Sequence, residues 1–395
     1  MKNNRTFLEK LLDGAKVEWR TIDEVSNKVS SGGTPATSNN SYYENGNIPW
    51  LRTQEVDFKE IWDTDIKITE EGLNNSSAKW IPKNCVIVAM YGATVGKIAI
   101  NKIPLTTNQA CANIEVNPEI AHYRYVFHYL MSKYEYIKSL GSGSQTNINS
   151  QIVKKIRIPI PPLSVQTEIV KILDALTTLT SELTSELTLR RKQYEYYREE
   201  LLSHNDSESS SQQKVDKDKL FSTSNIQWLH LNEIYKFQYG IGNKIPTIGG
   251  EYPVYGSNGI VGSHNEYNSE DAPVIGHIGA YAGIVNWAEG KHFVTYNGII
   301  CNKINDNVNS RYAYYLLLSQ NFIDKANKAS QPFISYDILN KCIVPVPPLE
   351  EQQRIVSILD KFETLTNSIT EGLPLAIEQS QKRYEYYREV LLNFS

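Results

Sequence analysis

Nine residues near the middle of the chain, YEYYREELL (194–202), return as YEYYREVLL (384–392) near its end. The duplication reaches far upstream of that phrase. IRIPIPPLSVQTEIVKILDALTTLT (156–180) matches CIVPVPPLEEQQRIVSILDKFETLT (342–366), and GSQTNINSQIVKK (143–155) matches ASQPFISYDILNK (329–341). GATVGKIA (92–99) pairs with GAYAGIVN (279–286), and VEWRTIDEV (17–25) with IQWLHLNEI (226–234). The blocks keep one order, so whatever the first half folds into, the second must fold into as well. Between the halves, HNDSESSSQQKVDKDKLFSTSN (204–225) is Ser-rich and charged and reads as an exposed linker.

Each half changes character part-way along. Its first part holds short β-rich runs broken by Gly, Pro and Asn: WIPKNCVIVAM and KIAINKIPL in one half, APVIGHIGA and FVTYNGIICNKI in the other. After the Pro-Pro pair the period becomes helical. Ile169, Ile172, Leu176, Leu179, Leu183, Leu187, Tyr194, Tyr197 and Leu201 recur at three- and four-residue spacing, which predicts one helix of about 35 residues and about 50 Å. Pro161 and Pro162 suit its start, where a first turn leaves N–H groups unpaired anyway. The second copy repeats the stripe through Ile355, Leu359, Phe362, Leu365 and Ile369, then meets Gly372-Leu373-Pro374, where a break is expected. Helices this long outrun a single domain, so an antiparallel coiled-coil pair is expected over packing of each helix on its own sheet. The fold class is α+β: two sheet-rich domains joined by two long helices in a tandem pseudo-twofold repeat. The expected boundaries are 1–155 for the first domain, 156–203 for the central helix, 204–225 for the linker, 226–341 for the second domain and 342–395 for the last helix.

The chain has 395 residues, no stretch of about 18 apolar residues and no apolar run at its start, so a soluble, cytoplasmic protein without a membrane partner is expected. Cys85, Cys111, Cys301 and Cys342 form no CxxC pair, which argues against a zinc knuckle or a disulfide framework. The formal net charge of −4 is not the clustered basic footprint usual for nucleic-acid binding. Tyr is abundant, 25 against 10 Phe and 3 Met, and lies among Asn, Ser, Thr and Gly; such residues make adaptable binding surface, and a compositional bias accounts for them equally well.

Catalytic motifs are missing. Gly92 to Lys97 falls one residue short of a phosphate loop and Ile98 stands where Ser or Thr is needed; Tyr239 to Asn243 lacks the strand, helix and acid of a dinucleotide turn. The seven His residues are scattered without metal-ligand spacing, there is no Asn-Pro-Pro-aromatic tetrad for an extruded adenine, and no nuclease carboxylate set is evident. No catalytic residue, metal site or cofactor is expected.

Two globular units, each followed by a PPL-x-x-Q helix ending in YEYYRE, resemble the DNA specificity subunit of type I restriction-modification systems. VSSGGTPAT, NIPWLRTQEV, VAMYGATVGKIAI, LTTNQACANIEV, IPIPPLSVQTEIVKILD, RKQYEYYREELL, VPVPPLEEQQRIVSILD and KRYEYYREVLL carry the resemblance. The second unit departs from it at QYGIGNKIPTIGGEYPVYGSNG, which lacks the GGTP and IPW phrases. The resemblance implies a non-catalytic subunit in which each globular unit is a target-recognition domain reading one half of a bipartite, asymmetric double-stranded DNA target. It further implies two modification (methyltransferase) subunits, which supply the chemistry and much of the phosphate contact, and restriction subunits in the full complex. Base-edge hydrogen bonds from amide and hydroxyl side chains can give specificity without net charge.

On that reading the DNA-facing candidates of the first domain are Ser31, Gly33, Thr34, Thr37, Lys97, Thr107, Asn108, Gln109, Ser144, Gln145 and Asn147. Those of the second are Asn243, Lys244, Ser257, Asn258, His277, Tyr281, Tyr296, Asn297, Ser330, Gln331 and Tyr336. Asn108, Gln109 and Gln145 have the groups to pair with adenine, and Lys97 or Lys244 with guanine or phosphate; plain turn chemistry explains any single one of them as well. Tyr194, Tyr197, Arg198, Tyr384, Tyr387 and Arg388 are the candidates for subunit docking. A structural protein whose coiled-coil helices are the function, with two ligand-binding sheet domains and no DNA specificity, is the alternative.

Overall fold

The computed structural model describes residues 7–141, 147–203, 226–242, 249–327 and 330–394. The expected linker, 204–225, lies outside them. The chain forms two compact units: Met1–Leu183 with Ile377–Ser395, and Thr184–Ala376. Each unit therefore contains one sheet-rich domain together with the end of the long helix that follows the other domain.

In the first unit, β1 (Glu18–Thr21) pairs antiparallel with the last strand of the domain, β11 (Arg157–Ile160), as a two-stranded ribbon. A five-stranded sheet contains β2 (Ser26–Ser31), β10 (Cys111–Val116), β7 (Val86–Ala89), β8 (Ile98–Asn101) and β4 (Glu60–Ile61) in that order. A four-stranded sheet has the order β5 (Lys67–Ile68), β3 (Ile48–Leu51), β9 (Leu105–Thr107), β6 (Trp80–Ile81). β7 reads Val-Ile-Val-Ala because both of its faces are covered. Val86 and Val88 join Ile98 and Ile100 in the core beneath the helices, while Ile87 and Ala89 join Ala99, Leu51 and Cys111 on the other face.

Helix α1 (Phe7–Leu12) opens the described chain, α2 (Glu70–Asn74) is a single turn capped by Thr69, and α3 (Tyr123–Ser132), α4 (Tyr134–Ser139) and α5 (Ser150–Lys155) cover the central sheet's inner side. The long helix α6 then runs unbroken from Leu163 to Ser203, 41 residues, longer than the stripe alone suggested and starting after β11 rather than at 156. The glutamine of PPL-x-x-Q explains that motif. Gln166, fully buried, accepts from the His122 N–H at 2.8 Å and donates to the carbonyls of Pro161 and Ile120 at 2.9 and 3.2 Å. It thereby closes the entries of α3 and α6 against each other.

Charge pins the same pair of helices. Arg124 of α3 forks onto Asp174 of α6, with Nη2 2.8 Å from Oδ1, and also reaches Glu60; His128 Nε2 lies 2.7 Å from Asp174 Oδ1. Against this layer lies the chain's final helix: Leu391 and Leu392 are buried in the same core, Tyr384 OH lies 3.9 Å from the Met131 sulfur, and Ser380 bonds Thr180 at 2.8 Å. Tyr384 sits against His128, which bonds Asp174 of α6, while Ser380 meets Thr180 further along, so α6 and the final helix run antiparallel here.

The second unit repeats the plan with other side chains. β12 (Gln227–His230) pairs with β19 (Ile343–Val346), and a six-stranded sheet has the order β13 (Tyr235–Tyr239), β18 (Gly298–Lys303), β16 (Ser269–Gly276), β17 (Val285–Val294), β14 (Tyr252–Gly256), β15 (Gly259–His264). After one turn of helix, α7 (Leu231–Ile234), come α8 (Ser310–Ser319), α9 (Phe322–Lys325) and α10 (Tyr336–Asn340). The helix after β19 is broken as the Gly-Leu-Pro sequence predicts, into α11 (Leu349–Asn367) and α12 (Gly372–Leu392). Gly372 has φ +83°, and a Cβ there would stand 2.5 Å from the Thr364 carbonyl oxygen. Gln352 repeats the role of Gln166, bonding the Asn309 N–H and the carbonyls of Pro347 and Asn307. Arg311 and Tyr315 repeat that of Arg124 and His128, on Asp360 and Glu363. Tyr194 and Tyr197 of α6 stack on Phe362, and Leu201 and Leu202 are buried.

Replacing Gln166 or Gln352 by Ala strands one backbone N–H and two carbonyls of a buried corner. Either variant is expected to lose roughly 2–3 kcal/mol, read as a lower calorimetric midpoint for that unit and faster amide exchange at His122 or Asn309. Acid should act on both units. Burial pushes the His128 imidazolium form out, and its Nδ1 is buried without a hydrogen-bond partner. Burial also holds the fully buried His292 of the second unit below the ordinary histidine range, and its Nε2 has no hydrogen-bond partner. A histidine held neutral by folding takes up a proton on unfolding, so each unit should lose stability as pH falls below about 6.5. His128→Gln should flatten that slope for the first unit in urea titrations across pH 5 to 8.

Candidate nucleic-acid interface

Backbone hydrogen bonds draw the predicted loops of the first unit to one end of its sheets. β2 runs out at Ser31; the Gly33 N–H then donates to the Thr107 carbonyl at 3.0 Å, and the Thr34 hydroxyl to Gln109 Oε1. The Asn108 N–H donates to Leu51 at 3.0 Å, the Met90 N–H to Ala110, and the Ile148 N–H, next to Asn147, to Met90. Ser31, Thr34, Thr37 and Gln109 are exposed on this end and Asn108 is half-buried.

Several candidates here do framework work instead. Gly33 is buried: its carbonyl accepts from Trp50 Nε1 at 3.0 Å, and a Cβ would stand 2.5 Å from the Ser77 carbonyl carbon. Thr107 is fully buried and accepts from Asn113 Nδ2 at 2.8 Å. Lys97 is half-buried and paired 2.6 Å from Asp57, with Phe58 beneath its ammonium. Ser144 and Gln145 lie outside the described residues. Sequence reasoning missed Arg52. It follows β3 directly, beside the Leu51 carbonyl that receives Asn108; its Nε is buried without a hydrogen bond and lies 3.8 Å from Glu55.

The second unit gathers its candidates around stacked rings. Tyr336 lies on Tyr239 with centroids 4.2 Å apart, and its hydroxyl accepts from the Tyr239 N–H at 2.7 Å. His277 lies 4.4 Å from Tyr239, and Tyr296 5.1 Å from His277, whose Nδ1 is 3.1 Å from the Tyr296 carbonyl. The His277 N–H reaches Asn297, the Ile334 N–H reaches His277, the Gly279 N–H reaches Pro332, and the Thr295 N–H reaches Tyr255 just before the turn at Ser257 and Asn258. The loops of 240–242, 257–258, 277–283, 295–297 and 330–336 thus share one end. Asn258, Tyr281, Tyr296, Ser330 and Gln331 are exposed there; His277 is buried, and Ser257, Asn297 and Tyr336 are half-buried. Asn243 and Lys244 lie outside the described residues. Tyr239, the centre of the stack, carried no signal beyond its place in YGIGN.

The docking candidates face inward more than outward. Tyr194 is buried and Tyr384, Tyr197 and Tyr387 pack on the cores of their units, with Arg198 and Arg388 each 5.5 Å over the Tyr194 and Tyr384 rings. Tyr196 and Tyr386, 59% and 62% exposed, are the members of the two phrases that meet solvent.

The four cysteines are buried, and burial pushes the Cys85 thiol up to about 12. Among the described residues no group of three or more His, Cys, Asp or Glu could hold a metal ion, and no helix is long and apolar enough to cross a membrane.

Paired sheet domains with divergent loop ends on one repeated helical scaffold define a two-headed recognition protein. The family model for the type I restriction modification DNA specificity domain matches residues 15–190 and 231–379, once in each half. The chain belongs to that family, and is a non-catalytic specificity subunit that works with DNA within a restriction-modification complex. A Haemophilus influenzae protein provisionally named a type I restriction enzyme specificity subunit is 39% identical over 420 residues, covering 100% of both chains. The Escherichia coli type I restriction enzyme EcoprrI specificity subunit is 31% identical, over 93% of this chain and 92% of its own. The crystal structure of the type I system S subunit from M. genitalium superposes with a TM-score of 0.63 at 19% identity, covering 97% of this chain and 98% of that one. The alternative of a purely structural coiled-coil protein gains nothing from these relatives.

The two loop ends should respond differently to truncation. Tyr296→Ala removes an exposed ring at the edge of the second cluster and is expected to weaken specific-duplex binding roughly 10-fold or more. Lys97→Ala removes a charge already held by Asp57 and should cost less than about 3-fold. Fluorescence anisotropy of the assembled complex on its target duplex measures both.

Proposed function

We propose that the chain reads a bipartite, asymmetric double-stranded DNA target in the cytoplasm, one half-site per unit, and holds two modification subunits and, in the full complex, restriction subunits. The observation that carries this reading is the contrast within the repeat. The two units share their ribbons, buried glutamines and helix-pinning ion pairs, while their loop ends carry different side chains: Ser31, Thr34, Asn108, Gln109 and Arg52 in one, an aromatic cluster with Asn258, Tyr281 and Gln331 in the other. A shared frame with two different tips suits two different half-sites.

The phosphate-binding charge that a net charge of −4 withholds is assigned to the modification subunits. They dock along the helices, where Tyr194, Tyr197, Arg198, Tyr384, Tyr387 and Arg388 shape the surface from beneath and Tyr196 and Tyr386 stand outward.

Exchanging 17–155 for the matching part of a relative is expected to change one half-site and leave the other intact. Methylome sequencing of a host carrying the hybrid with its modification subunit reads the outcome; simultaneous change of both halves contradicts modular reading.

The helix α6 also sets a distance. The proline pairs begin at 161 and 347 and the tyrosine phrases at 194 and 384, so the second spacer is four residues longer. Within the first, TSEL occurs twice, at 180–183 and 184–187. Deleting 184–187 from a continuous helix removes about 6 Å of rise and turns the remainder of the helix by about 40°. One base pair spans about 3.4 Å and turns by about 35°. Both half-sites should be kept and the unread spacer between them should shrink by one or two base pairs; an unchanged spacer with full methylation rejects the ruler.

A further inference from the structure

Arg52 stands where the loops of the first unit are tied together. The Leu51 carbonyl just before it accepts from the Asn108 N–H at 3.0 Å, which brings the 107–109 loop alongside. The Thr53 carbonyl just after it accepts from the Thr94 hydroxyl at 2.7 Å, which brings up the turn at 92–94. Glu55 closes the corner: one carboxylate oxygen accepts from Arg52's own N–H at 3.3 Å, the other from the Asp65 N–H at 2.9 Å. The backbone around Arg52 is thus held from three directions.

The guanidinium takes no part in that network. Its ion-pair partner Glu55 lies 3.8 Å from Nε, beyond hydrogen-bonding distance. Among the described residues Nε is buried without a partner, while the two Nη groups make no hydrogen bond and are not closed off from solvent. A side chain anchored at its stem and 32% exposed therefore presents an open fork at the loop end. Other cations of this unit are taken: the Arg124 fork by Asp174 and Glu60, and the Lys97 ammonium, at the same loop end, by Asp57.

A planar fork of two N–H donors fits a carboxylate, a phosphate, or the O6 and N7 edge of guanine. Two features select guanine. The Glu55 carboxylate beside the stem repels a second anion, whereas the neutral edge of a base pays no such penalty. The fixed backbone and buried Nε also give the fork a single aim, which base reading requires and phosphate contact does not. Asn108 and Gln109, on the loop that Leu51 receives, carry the amides suited to adenine. The second unit has no counterpart, since none of its loop residues at 240–242, 257–258, 277–283, 295–297 and 330–336 is an arginine.

We propose that Arg52 reads one guanine of the half-site belonging to the first unit, its two Nη groups donating to O6 and N7 from the major groove. This deepens the proposed function and rests on it.

The test uses the assembled complex and its target duplex, with the half-site of the first unit assigned by the 17–155 exchange. Its guanines are replaced one at a time by 7-deazaguanine, in which a carbon takes the place of N7. Fluorescence anisotropy with the wild-type complex should find one position where the replacement weakens binding roughly 10-fold. Arg52→Ala should weaken binding to the unmodified duplex roughly 10- to 100-fold and erase the difference between guanine and 7-deazaguanine at that position. Methylome sequencing should then find that one position degenerate. If the alanine variant melts early, Arg52→Lys, which keeps the stem and the charge without the fork, takes its place and should lose the same discrimination. A half-site in which no 7-deazaguanine weakens the wild type overturns the assignment, as does a penalty that persists undiminished in the folded variant. So does a variant that weakens target and unrelated duplexes alike with a shallower salt dependence, the mark of a phosphate contact. These three results leave the two-headed reading in place. A wild-type complex whose target is not bipartite removes that reading and the role of Arg52 with it.

Discussion

The burial of a helix end in a domain that its own half of the chain did not build is the interaction on which the rest depends. Leu391 and Leu392 enter the core of the first unit, and Leu201 and Leu202 that of the second, all almost wholly removed from water. At about 1.5–3 kcal/mol for each fully buried leucine, the two pairs anchor their helices more firmly than any surface ion pair could. This is why the same aromatic, charged phrase is written twice. Its tyrosines pack inward on one side, its arginines cover those rings, and one tyrosine per copy, Tyr196 or Tyr386, is left to solvent.

Much of this architecture was legible in the residues. The helical stripe foretold α6, Gly372-Leu373-Pro374 foretold the break, and the apolar runs foretold β7, β8, β16 and β18. The proline pair at 161 and 162 foretold the start of α6 at Leu163; the expected boundary at 156 fell early, because pairing with Glu18 to Thr21 makes Arg157 to Ile160 a strand of the domain. The periodicity could not tell which side of the helix was spoken for. Tyr194 and Tyr384 look equally suited to a partner subunit and to a core, and only the packing of Phe362, Met131 and His128 decides that they face inward.

The loop ends were legible as loops and only partly as sites. Glycine and amide content marked Ser30 onwards and Thr106 to Gln109 as loops, but Thr106 and Thr107 are strand residues of β9, and Gly33, Thr107 and Lys97 are held by Trp50, Asn113 and Asp57. Arg52 and Tyr239 went unnoticed for the opposite reason: nothing in their immediate neighbours marks them, and they matter because the sheets bring Leu51 beside Asn108, and Tyr239 beside Tyr336. Gln109 and Tyr296, by contrast, stay exposed even though Gln109 accepts from the Thr34 hydroxyl and the Tyr296 ring packs on Tyr239 and His277.

In the first unit the ring of Phe7, in the opening helix, meets that of Tyr387, in the closing one, with centroids 6.4 Å apart. The earliest and latest described helices are therefore neighbours in one core, although almost the whole described chain separates them in sequence. For a molecule of this kind, synthesis order and spatial order are separate properties.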